Sequence, residues 1–173
     1  MKLRHPLPSA LLLALGLLAP TLASAHPPAG AFDLLGLYAE NMASTAVRAC
    51  EARDPAGAKA SAELLRQWRA RDRALLAQAV EVADELEREA LRRTVEGRST
   101  DQRKAALEVL GEVQASKLAS EQLALRQMAL ASDAQAREAC SIQLEKLQTP
   151  GWTGELVQTG LARAQALRKT LAK

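Results

Sequence analysis

The chain has 173 residues, with 23 basic and 20 acidic side chains, two histidines and two cysteines. That length suits one domain. So few histidines and cysteines exclude most nucleophilic, structural-zinc and haem chemistry, and the near balance of charge excludes a strongly basic nucleic-acid surface.

Residues 1–25 read as a secretory signal peptide. Lys2, Arg4 and His5 make a basic start, and the apolar run from Leu11 to Leu18 is too short to span a bilayer stably. Ala23-Ser24-Ala25 is a small-x-small cleavage site that makes His26 the mature N-terminus. The mature chain is then 173 − 25 = 148 residues, periplasmic or secreted, with no further stretch that approaches a membrane span. Cleavage removes Lys2 and Arg4, which leaves 21 basic against 20 acidic side chains.

His26-Pro27-Pro28-Ala29-Gly30 is an expected flexible lead-in. An N-terminal histidine can bind copper through its amine and imidazole, but such sites recruit a second histidine and the mature chain has none. No metal or other cofactor is expected.

A single helical domain is expected over residues 31–173. Its first helix, to Arg53, places Leu35, Tyr38, Met42, Ala46, Ala49 and Cys50 on one side, and Asp54-Pro55-Ala56-Gly57 ends it. Residues 58–96 hold no Pro or Gly and repeat Leu64, Trp68, Leu75, Ala79, Val82, Leu86 and Ala90 at the spacing of one helix face. Gly97 is expected to supply positive φ past the helix end. Ser99 with Gln102 forms a capping-box pattern, and so short a turn makes the next helix an antiparallel neighbour.

That second arm carries Leu107, Leu110, Val113, Leu118, Leu125 and Met128 on a less regular stripe. It continues through Cys140, Leu144 and Leu147 to a stop at Thr149-Pro150-Gly151, with a second capping pattern at Ser132-Asp133-Ala134-Gln135 where it can break or kink. A last helix, residues 155–171, aligns Leu156, Gly160, Ala164, Leu167 and Leu171, and Gly160 and Ala164 permit a close helix approach.

The expected fold is all-α: an antiparallel helical bundle built on a long two-helix hairpin, with short first and last helices covering its base. Because those helices are about half the length of the hairpin arms, residues 81–119 are expected to project as a solvent-exposed arm. Its seam would be Val82, Leu86, Leu107, Leu110 and Val113.

The two cysteines fall in register on this plan. Counting from the hairpin turn puts Cys140 level with about residue 57, and counting from the lower turn puts Cys50 level with about residue 60. An exported chain with two cysteines so placed is expected to form one disulfide, Cys50–Cys140.

No catalytic residue is expected, and the protein is not read as an enzyme. Asp84/Glu85/Glu89 and Glu108/Glu112 sit at helical spacing but lack the histidines of a di-metal bundle, so they read as solvated faces. The candidate partner-binding residues are Arg66, Arg69 and Arg73 around Trp68, since Trp and Arg are favoured interface anchors. Arg92, Arg93 and Arg98 at the tip of the hairpin join them. The competing role for Trp68 is core packing. The expected function is an exported helical binding protein, such as an inhibitor or immunity-type partner of an envelope protein. A holdase-like chaperone and a small-ligand or metal-binding bundle are the alternatives.

Overall fold

The computed structural model describes residues 32–173. The signal peptide, His26 and the lead-in lie outside the described residues. Within them the chain is an all-α helical bundle without strands. A 3-10 segment, Asp33–Tyr38, leads into α1 (Ala39–Arg53), α2 (Ala58–Arg71), α3 (Arg73–Glu96), α4 (Thr100–Leu130), α5 (Asp133–Gln148) and α6 (Trp152–Leu171). No helix among the described residues is long and apolar enough to cross a membrane.

These elements make four rods. The 3-10 segment and α1 run down. After the turn at residues 54–57, α2 and α3 run up, and α1 packs on α2. The step at Asp72 between them is slight, because the helical ladder carries across it: the Asp72 N–H donates to the Trp68 carbonyl at 2.9 Å and the Leu76 N–H to the Asp72 carbonyl at 3.0 Å. After residues 97–99, α4 runs down against α3.

Here the chain departs from expectation. The second arm does not continue to Gln148. Ala131 and Ser132 are extended (ψ 143° and 162°), and Ser132 with Gln135 forms a complete capping box that starts α5 in a new direction. Three contacts fix that direction against α1. Asp133 pairs with Arg53 at 3.2 Å, Cys140 meets Cys50, and Leu147 joins the core that holds Val47 and Ala43. α5 therefore runs up, and α6 continues upward until Gly160 lies against Gly36 and Leu37. Of the break or kink expected at Ser132 the structure has the break, and it forms the lower turn of the bundle. Thr149-Pro150-Gly151, expected to be that turn, is a break inside the fourth rod, where Gly151 takes φ 86°.

The projecting arm shortens for the same reason. α6 starts well above the base and lies along α3, with Arg168 reaching Glu85 at 2.5 Å and Leu171 buried in the same core as Leu86 and Ala90. Arg163 crosses to Glu112 with two bonds of 2.6 and 2.7 Å. Glu112, expected on a wet face, is 5% exposed. Only the last turns of the hairpin, beyond Ala90 and before Ala106, lack this cover.

The Gly36–Gly160 crossing carries out the close approach expected of Gly160. A Cβ on Gly36 would stand 1.9 Å from the Leu156 carbonyl oxygen, so backbone meets backbone there. Gly97 acts by closeness too, and not by positive φ: its φ is −57°, and a Cβ would meet the Arg93 carbonyl oxygen at 2.7 Å. Ser99 and Gln102 form the expected capping box.

Cys50 and Cys140 lie at disulfide distance, Sγ–Sγ 2.19 Å and Cα–Cα 5.6 Å. They sit in a small satellite core with Ala49, Met128 and Ala136. The pairing agrees with expectation, but the register that produced it does not, since α5 comes back up beside α1 instead of arriving from above.

Candidate functional site

α4 presents most of its leucines to solvent. At about 100° per residue, Leu107, Leu118 and Leu125 fall within about 20° of one another, and they are 58%, 51% and 48% exposed. The opposite face is buried and built mainly from small residues: Ala106, Val109, Val113, Ser116 and Ser120. Small side chains let α3, α1 and the 3-10 segment approach α4 closely, which leaves no room inside for the leucines. Leu107 is therefore not part of the seam, and the less regular stripe read from the sequence joined residues from two faces.

The outer face of α4 continues onto α3. Gln114 donates to Glu87 at 2.5 Å, so the side of α3 carrying Glu87 adjoins the side of α4 carrying Gln114. Leu91, one turn above Glu87, and Leu107, two turns above Gln114, both stand exposed near the hairpin tip, as does Val95. Lys104 and Glu108 are exposed on the same stretch of α4.

The expected basic anchors have different surroundings. Trp68 is 1% exposed and its indole N–H donates to Thr153 Oγ1 at 2.8 Å, so it is a core residue with no face to offer a partner. Arg66 pairs with Glu63, and Arg69 with Glu40 at 3.0 Å and Ser44 at 2.8 Å. At the tip, Arg92 bridges Glu89 and Glu96, while Arg93 reaches Glu89 at 2.8 Å. Arg92 first, then Arg93, hold the Glu89 carboxyl down to about 2 by hydrogen bonds to its charged form. Arg73 and Arg98 have no ion-pair partner among the described residues. Arg69 and Arg73 share an open groove of about 720 Å³ with Glu40, Val80, Asp84 and Arg88, where opposite charges alternate. The seven residues are thus not brought into one basic patch.

The reversal at Ala131–Ser132 creates a feature with no sequence counterpart. α4 and α5 both pack on α1 and meet each other at the lower end, where Met128 and Ala136 share the satellite core. A cleft of about 210 Å³ remains between them. It is lined by Met42, Ala43, Ala46 and Val47 of α1, Leu123 and Ala124 of α4, Leu147 of α5, and Trp152 and Leu156 of α6. Gln127, Gln143, Lys146 and Ser120 supply its polar groups. Sequence periodicity could not show it, because the cleft exists only if the chain turns at Ser132.

Among the described residues, no group of three or more His, Cys, Asp or Glu side chains is placed to hold a metal ion. No protein-family model, curated protein or solved structure matches this chain, so its function is argued from its own surfaces.

Proposed function

We propose that this protein is an exported, non-catalytic binding protein of the cell envelope, of inhibitor or immunity type, which takes a helix of its partner protein on the outer face of α4. The observation that carries this reading is the inversion of α4. Leucines on one helix face stand in solvent while the core face is built from Ala106, Val109, Val113, Ser116 and Ser120. Exposed apolar residues gathered on one face mark interaction sites, and Leu107, Leu118 and Leu125, at i, i+11 and i+18, stand on one helix face along which a partner helix can lie. Export is supported by the signal-like residues 1–25 and by a cysteine pair at disulfide distance, which persists in oxidising compartments.

The test is affinity purification from the envelope with the intact chain and with the double variant Leu118→Glu/Leu125→Glu. The intact chain should recover a stoichiometric partner that the variant loses, while both keep the same helical circular dichroism. Recovery of the same partner by the variant moves the site off α4. Broad suppression of aggregation of unfolded proteins, with no defined partner, would establish the chaperone reading instead. N-terminal sequencing of the envelope protein should begin at His26.

A further inference from the structure

The cleft between α4 and α5 is separate from the outer face of α4, and its lining is unusual for this chain. A quarter of all residues are charged, yet Lys146 is the only charged side chain among those that line it. The Lys146 ammonium has no ion-pair or hydrogen-bond partner among the described residues. Every other polar contributor is a neutral amide or hydroxyl: Gln127, Gln143 and Ser120. An apolar trough with one unmatched cation at its edge is complementary to an apolar chain that ends in a single negative charge. From this charge pattern we infer that the cleft binds a free, medium-chain carboxylic acid in its ionised form, with the hydrocarbon over Ala46, Val47 and Leu123 and the carboxylate at Lys146.

Size decides the chain length. The cleft, about 210 Å³, is smaller than the ~300–1,000 Å³ of drug-sized ligand sites, so it suits a short hydrocarbon and excludes a two-chain lipid. The charged end stays at Lys146 and the hydrocarbon lies along the apolar lining. Lys146 also lies in the last turn of α5, where a cation is favoured by the helix dipole. That structural role needs no ligand and predicts no binding, so the two can be separated by experiment.

The experiment is isothermal titration calorimetry of the full chain with octanoate, and with octylamine as the same chain bearing the opposite charge. One saturable site is expected for octanoate, with binding of octylamine absent or much weaker. Lys146→Gln should weaken octanoate by about tenfold, the order expected for one charge-assisted hydrogen bond. Ala124→Phe, which fills the cleft from its half-buried wall, should abolish binding. Protein NMR shifts of the Trp152 indole N–H on addition of octanoate should saturate with the same midpoint. Equal binding of octylamine, no effect of Lys146→Gln, or no saturable octanoate binding by the folded chain would each overturn the inference. Loss of the envelope partner in the α4 double variant leaves this result unaffected.

Discussion

The Trp68 indole N–H donates to Thr153 Oγ1 at 2.8 Å, and Thr153 in turn donates to Asp72 Oδ2 at 2.5 Å. One threonine thus joins the step in the second rod, at Asp72, to the start of α6 in the fourth rod. All three groups are at least partly buried, and Arg71 completes the set with two bonds to Asp72 at 2.9 and 3.0 Å. Rods that break at one level would otherwise be free to bend there. The network, with the tilted Trp68–Trp152 pair at 6.4 Å, holds the upper and lower halves in line.

Thr153→Val keeps the shape but removes both bonds, which leaves the indole N–H buried without a partner. The expected loss is about 1–3 kcal/mol, read as a lower urea midpoint at unchanged slope. Thr153→Ser should restore most of it. A valine variant as stable as the parent would show that the indole finds water.

The disulfide closes a sequence separation of 90 residues. α5 buries only Ala136 and Leu147 fully and packs mainly on α1 and α2, so the bridge is its main holdfast. Unreduced, unfolded protein should show no free thiol. The Cys50→Ser/Cys140→Ser variant should lose about 4 to 5 kcal/mol in the chain-entropy model, with amide exchange accelerating most in α5. Uniform acceleration across α3 and α4 as well would mean that α5 is held by packing instead.

Which parts of this fold were legible follows a physical line. Ser99-Gln102 and the place of the turn before it were legible because caps are local chemistry, and the capping box is present in full, although Gly97 does not take the positive φ expected of it. The pattern at Ser132 was equally local and equally present, but a cap says only that a helix begins there, and not which way it points. Direction is set by the Arg53–Asp133 pair and by α1, which no neighbouring residue reports. The outward leucines of α4 failed for a second reason. Periodicity finds large apolar residues, whereas this helix buries Ala106, Ser116 and Ser120 beside Val109 and Val113, so only part of the true core face was visible. The cleft and Lys146 inherit both difficulties.

Tyr38, the chain's one tyrosine, provides a clean titration. Burial first, then the charges of Glu87 and Asp84, push its phenol up to about 12. Its folded pKa lies above the unfolded value, so the stability it contributes is fully present below about pH 10 and is lost as pH rises toward about 12. Tyrosinate absorbance of the folded protein should therefore appear well above pH 10, and Tyr38→Phe should flatten that part of the alkaline stability loss. A midpoint near 10 in the native state would contradict the burial.

The last prediction sets the two faces of α4 against each other. Leu118 is 51% exposed and Val113 is 1% exposed. Leu118→Gln keeps a good helix former on a wet face, so its effect should stay within about 0.5 kcal/mol. Val113→Ala removes only two methyl groups from a packed site, yet it should cost about 2 kcal/mol. Ser120→Leu makes the helix look more amphipathic by sequence, but Ser120 is 1% exposed, so the extra bulk should overpack α1 against α4 and cost about 1–3 kcal/mol. Chemical denaturation of the three variants decides the face. If Leu118→Gln proves as damaging as Val113→Ala, the outer face of α4 is already buried in solution against a second copy of the chain, and sedimentation should then show a dimer that the variant dissociates.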